Sequence, residues 1–169
     1  MTPDLASLIA ALEGAIGDPR RGLPEEVFRF VSRITPLSNV DLLIQDERRG
    51  TLLTWREDEF FGTGWHLPGG IVRYKETADE RVRACAREEL GVDVAFEAMP
   101  LAIAETIGAH ETRGHHIGLL FRCRLLTGPD PSRRAGDGRP APGQWRWHPR
   151  CPADLLDTQR PYAKYFLEL

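Results

Sequence analysis

The feature that most constrains this chain is an acid placed on an apolar helix face. From Thr77 to Leu90 the sequence TADERVRACAREEL reads as an amphipathic helix. Thr77 and Glu80 have the spacing of a capping box, and Gly91 is a C-terminal stop. At about 100° per residue, Ala78, Val82, Cys85, Ala86 and Leu90 form one apolar stripe. Glu89 falls inside that stripe, Glu88 lies on its flank beside Arg81, and Arg83 and Arg87 point elsewhere. A carboxylate on a buried face costs free energy unless it meets an arginine or a cation. Just upstream, Leu67-Pro68-Gly69-Gly70 leaves its backbone open to close approach. Carbonyl oxygens beside a glutamate are hard ligands, which suits Mg²⁺ or Mn²⁺ rather than zinc.

Around this helix the chain alternates β-rich and helical segments. Thr2-Pro3-Asp4 is an N-cap with a first-turn proline, opening a helix to about Ile16 with Leu5, Leu8, Ile9, Leu12 and Ile16 on one face. Pro24-Glu25-Glu26 opens a second short helix through Phe28 and Val31. Strands are expected over 38–45, 51–56, 92–96, 101–107, 115–126 and 144–148, with 128–143 a long loop and short helices at 152–156 and 161–167. The stretch containing Gly62, Gly64, Pro68, Gly69 and Gly70 reads as a loop. Mixed strands with one central helix predict an α/β or α+β sandwich. The expected division is a helical extension over 1–34 and a main domain over 35–169.

Charge and cysteines remove several function classes. With 169 residues and a net charge of -3, the chain has no basic surplus for nucleic acid or an anionic membrane. A phosphorylated substrate must then be met by a local site. Three scattered cysteines with no C-x-x-C pair argue against a zinc site or a disulfide framework and fit reduced thiols in a cytosol. Residues 1–22 carry acids and no basic leader, and no run is long enough to span a bilayer, so a cytoplasmic location is expected.

Gly70 to Val92, GIVRYKETADERVRACAREELGV, resembles the Nudix box G-x5-E-x7-R-E-U-x-E-E-x-G-U. Gly70, Glu76, Glu88, Glu89, Gly91 and Val92 match, Ala86 matches weakly, and Ala84-Cys85 stands in place of the R-E pair. The resemblance implies a Nudix-type α/β/α sandwich with a mixed sheet, preceded by two N-terminal helices. Loss of that R-E glutamate is similar to the GDP-mannose hydrolase branch, whose members substitute at the sugar carbon and release a nucleoside diphosphate. Further branch-like features are Thr35-Pro36-Leu37, Asp41, Arg56, Gly64-Trp65, His115-His116 and Arg146-Trp147.

Carried over residue by residue, the resemblance implies metal ligation by Gly69 and Glu89, with Glu88 expected as a further metal ligand. It implies Asp41 on the guanine side, Arg56 on the diphosphate leaving group, and His116 in place of a substrate-contacting tyrosine. Two positions depart from the branch. Ala141-Pro142 stands where a Gln-His pair supplies a metal ligand and a base. Ile71 replaces an arginine, for which Arg73 is the nearest substitute. The base is then His116, His110 or an acid of the 128–143 loop, and His66 is a further histidine close to the glycine turn. The expected activity is Mg²⁺- or Mn²⁺-dependent hydrolysis of a nucleotide sugar. The alternatives are cleavage between phosphates and a non-catalytic nucleotide-binding module. A homodimer is expected through the N-terminal helices, as in the branch.

Overall fold

The computed structural model describes residues 4–108 and 110–169. Helix α1 (Leu5–Ile16) is N-capped by Asp4, whose carboxylate accepts from the Ser7 N–H; the expected cap Thr2 lies outside the described residues. Helix α2 (Glu25–Ile34) opens at Pro24 with two acids in its first turn, where they complement the helix dipole.

Strand β1 (Leu37–Asp46) is the axis of the domain. Residues 40–44 are buried without a break, as expected of a strand covered on both faces. It pairs in parallel with β7 (His115–Leu125), from Leu37 opposite His116 to Ile44 opposite Cys123. On its other side it pairs with the short β4 (Gly69–Ile71). Strands β5 (Val94–Phe96) and β6 (Ala102–Ile107) both pair antiparallel with β7. Strand β2 (Gly50–Asp58) shares only two registered pairs with β1, at Gln45–Thr51 and Asp46–Gly50. Beyond them the two strands part, and β2 joins β3 (Gly62–His66) and β8 (Trp145–His148). The mixed sheet therefore opens into two leaves that share one hairpin.

Side-chain alternation along β1 divides the core. Val40, Leu42 and Ile44 pack with Leu52, Phe121 and the helix residues Val82, Cys85, Ala86 and Leu90. Leu43 packs on the other face with Leu53, Trp55, Trp65, Tyr162 and Phe166. Asp41 has the parity of Leu43 and so faces the C-terminal segment. This is the expected α/β/α sandwich, with the helix on one face and the C-terminal 3-10 helix Asp157–Tyr165 on the other.

Three expectations change. The supposed loop at 62–70 contains β3 and β4; its glycines permit close strand approach rather than a break, because a side chain at Gly64 would meet Asp154 O and Leu156. Residues 152–156 form a turn ending in a bridge from Leu155 to Trp65, not a helix. The central helix is α-helical only over α3 (Ala78–Cys85), with both bonds of the Thr77/Glu80 capping box present, and then widens into a π turn over Ala86–Leu90. That turn closes on Gly91 in the left-handed region. π turns inserted in α-helices recur at functional sites, and this one carries Glu88 and Glu89.

Candidate functional site

Where β1 and β2 part, a cavity of about 140 Å³ opens. Its lining includes Asp41, Arg56, His66, Gly69, His116 and Gln159, drawn from β1, β2, β3, β4, β7 and the C-terminal segment. Of the residues expected from sequence, Asp41, Arg56, Gly69 and His116 therefore meet. The hairpin alone does not bring Asp41 to Arg56: divergence of its strands creates the space that both line.

Glu89 closes this site from the helix side. Its carboxylate accepts from the Gly69 N–H at 2.7 Å and from the Thr54 hydroxyl at 2.9 Å. The bonds Leu42 N–H to Pro68 O and Val72 N–H to Ser38 O set the β1–β4 ladder. Antiparallel alternation then points the N–H and C=O of Gly69 away from β1. The N–H goes to Glu89 and the carbonyl faces away from the ladder. A side chain at Gly69 would collide with Val40 O and come within 3.1 Å of Asp41 Oδ1, so the residue must be glycine. An outward carbonyl beside a carboxylate is a hard-oxygen donor set that fits Mg²⁺ or Mn²⁺. Such an ion would polarise phosphate oxygens lying against it.

The proton inventory behind Glu89 is tight. Nδ1 of His66 lies 2.7 Å from Leu67 O, so that nitrogen carries the proton and Nε2 is an acceptor. Nε2 lies 3.1 Å from Thr54 Oγ, and Thr54 has one hydrogen to give. With Glu89 ionised, Thr54 donates to it and the His66 lone pair is left facing oxygen. With Glu89 protonated, Glu89 donates to Thr54, Thr54 donates to His66, and every group is satisfied. Burial pushes the Glu89 carboxyl up to about 7 and the His66 imidazole down to about 3. Both directions agree with a neutral chain. His66 is 7% exposed and bonded at both nitrogens, so it is placed to hold Thr54 rather than to act as a base.

Asp41 faces the cavity from the opposite side. It is 3% exposed, and its carboxylate accepts from Gln159 Nε2 at 3.2 Å and Tyr162 Oη at 3.0 Å. Burial raises its pKa against those two bonds. Gly118 makes room, since a side chain there would strike Tyr162 and approach Asp41 Oδ2. Gln159 and Tyr162 lie more than a hundred residues from Asp41, and no local pattern marks them. Arg56 pairs with Asp58 at 3.1 Å and lies over Phe61. His116 faces in, while its neighbour His115 pairs with Glu105. Burial and the nearby Arg113 hold His116 below the usual histidine range.

Glu88 and Arg73 lie elsewhere. Glu88 is exposed and bonds Arg81 at 2.6 Å, with Arg73 at 3.7 Å. Both line a second cavity of about 390 Å³ beneath α2, which shares Leu37, Gly70 and Ile71 with the first. Cys85 is a buried thiol pushed up to about 12 by burial, and its Sγ accepts from Arg81 Nε at 3.2 Å. His110 bonds Thr112 O outside the cavity, and Asp130 caps the 3-10 turn Pro131–Arg133. Ala141 donates its N–H to Gln144 in a surface turn. Thr54 and Arg113 are cavity-region residues that sequence reasoning missed.

An acid whose native pKa stands above its unfolded value of 4.5 keeps its proton in the fold while the unfolded chain releases it, so stability falls as pH rises from 4.5 to about 7. Glu89→Gln removes that penalty and preserves the hydrogen bonds. In chelator, the variant is expected to match wild type near pH 4.5. At pH 8 it should exceed wild type by on the order of 1–3 kcal/mol in urea denaturation. It should also lose most metal-dependent turnover. Equal stabilities at pH 8, or an active variant, would contradict this account of Glu89.

A family model described as NUDIX domain matches residues 35–169. A curated relative, the low-salt glycan biosynthesis protein Agl8 of Haloferax volcanii, is 39% identical over 80 residues. The match covers 47% of this chain and 51% of Agl8, so the chain spans about half the length of the curated relative it matches. Among solved structures, a possible asymmetric diadenosine tetraphosphate hydrolase from Jonesia denitrificans superposes with a TM-score of 0.60 at 20% identity, covering 78% of this chain and 92% of that one. A MutT NUDIX hydrolase from Burkholderia pseudomallei gives 0.58 at 23% identity, covering 77% and 97%. These likenesses share the sandwich just described, and the family match runs through the glycine turn, the π turn and the cavity between the leaves: the chain belongs to the NUDIX domain family.

Proposed function

We propose that the protein is a divalent-metal-dependent hydrolase of a nucleotide sugar resembling GDP-mannose, in which water attacks the anomeric carbon and a nucleoside diphosphate leaves. The observation that carries this reading is the environment of Cys85. A buried thiol held by Arg81 stands where a box carboxylate would be, and Glu88 is drawn to the same arginine. Glu89 is left as the box carboxylate facing Gly69. Among the described residues no group of three or more His, Cys, Asp or Glu side chains is gathered as a metal cage. Such a poor carboxylate supply favours activation of the whole diphosphate as a leaving group over assembly of several ions around phosphorus.

In this mechanism Arg56 meets the negative charge that grows on the diphosphate, a contact that strengthens in the transition state. The sugar C–O bond breaks with its electron pair on the phosphate oxygen. Water forms the new C–O bond and passes a proton to His116, which is neutral near pH 7 because burial and Arg113 disfavour its charge. Asp41, fixed by Gln159 and Tyr162, orients substrate groups at the opposite wall. A sugar-bearing substrate also accords with the likeness to Agl8, a glycan biosynthesis protein.

Cleavage between phosphates is the second reading. Glu76 and Glu88, both box acids, remain beside Arg81 at 3.8 and 2.6 Å. Hydrolysis of a nucleotide sugar in ¹⁸O-labelled water with Mg²⁺ separates the two. Label in the free sugar is expected; label in a phosphate product establishes the second reading, and metal-bound protein without turnover on any nucleotide sugar leaves a binding module.

The reading includes a homodimer. No residue of α1 is buried, and Leu5, Leu8 and Ile9 stand about half or more exposed on one face, a surface that a second copy would cover. Light scattering at micromolar concentration should report twice the 19.0 kDa chain mass, and a 19.0 kDa particle would reject the dimer.

A further inference from the structure

Arg113 sits in the β6–β7 connection and lines the cavity together with Arg56 and His116. It makes no salt bridge among the described residues, and its Nε is buried without a hydrogen-bond partner. Two features hold it there. Its guanidinium carbon lies 4.8 Å from the Phe60 ring centroid, 4.9 Å from that of Phe61 and 5.3 Å from that of Phe28. Its backbone is in the left-handed region at φ 61°, an uncommon conformation for a residue with a Cβ. The Arg113 N–H donates to the buried hydroxyl of Ser32, which itself donates to Arg29 O in α2.

The charges facing Arg113 are Arg29 and Arg56, which repel it, and Asp58 and Glu25, which attract it. All four are already engaged: Arg56 with Asp58, and Arg29 with Glu25 and Glu59. Arg113 is therefore a cation held on a strained turn, beside another arginine, with a buried donor that nothing in the fold uses. A guanidinium packed on aromatic faces is preorganised, and its fork matches phosphate geometry. Strained conformations of this kind persist where the surroundings over-determine them, and they cluster at ligand clamps.

We propose that Arg113 is a second phosphate-binding arginine, beside Arg56 in the cavity lining and over the same Phe61 ring, and that α2 belongs to the site because Phe28 and Ser32 hold Arg113 in place. The ligand class is a diphosphate. This rests on the reading of the cavity as the seat of a nucleotide's diphosphate, yet it is testable without turnover. Helix α2 then acts as part of the binding wall.

The probe is inorganic pyrophosphate, titrated calorimetrically into metal-free protein at pH 7.5 and low salt. Wild type should bind it. Arg113→Ala should weaken binding by about tenfold or more, the loss expected for a charge-assisted bidentate contact. Arg113→Lys, which keeps the charge without the fork, should lose less; it also supplies the answer if the alanine variant does not fold. Ser32→Ala should weaken pyrophosphate binding while Mn²⁺ affinity stays at the wild-type value, a split that general destabilisation would not produce. Pyrophosphate affinity unchanged in Arg113→Ala and Arg113→Lys would overturn the proposal, as would no binding by wild type at millimolar pyrophosphate. An Arg113-dependent pyrophosphate site in a protein that hydrolyses no nucleotide sugar would leave this inference standing and remove the proposed function instead.

Discussion

The hydrogen bond from the Gly69 N–H to the Glu89 carboxylate ties the helix to the glycine turn, and the geometry of the site depends on it. Gly69 belongs to the leaf of β1, with which β4 pairs. Glu89 also reaches Thr54 on the other leaf, so one carboxylate joins β4, β2 and the π turn. A half-buried acid used this way adds little stability, because its charged form is desolvated. Its persistence makes sense if the same oxygens serve a cation, and the outward Gly69 carbonyl beside them is consistent with that use.

The two faces of the cavity are built by different means. The helix side depends on proton matching along Glu89, Thr54 and His66, with the Leu67 carbonyl fixing the imidazole tautomer. The opposite side depends on two long-range clamps, Gln159 and Tyr162, which hold Asp41 against β1. Gln159 also accepts from the Leu67 N–H, so it touches the strand that carries His66 as well as Asp41. Displacement of the C-terminal segment would therefore disturb both walls.

Much of this was legible in the sequence, for reasons that differ by residue. The apolar stripe with Glu89 inside it follows from helical periodicity, and the Thr77–Glu80 capping box follows from spacing alone; both are present. Glu88 beside Arg81 was likewise a matter of geometry on one helix. The strands β3 and β4 were hidden because glycine-rich segments read as loops, although here glycine serves close packing. The π turn has no signature in a one-dimensional pattern. Gln159, Tyr162, Thr54 and Arg113 enter the site through tertiary contacts across tens to more than a hundred residues. Arg113 in particular has an ordinary loop sequence around it, and its packing on Phe28, Phe60 and Phe61 sets it apart.

The proposed function requires a single cation position at Glu89 and the Gly69 turn, because Cys85 and Glu88 are both engaged by Arg81. Titration of Mn²⁺ into the protein, followed by electron paramagnetic resonance of the free ion, counts the bound ions directly. The account predicts about one ion per chain, lost in Glu89→Gln. Two or more ions per chain, or one ion retained by Glu89→Gln, would contradict it.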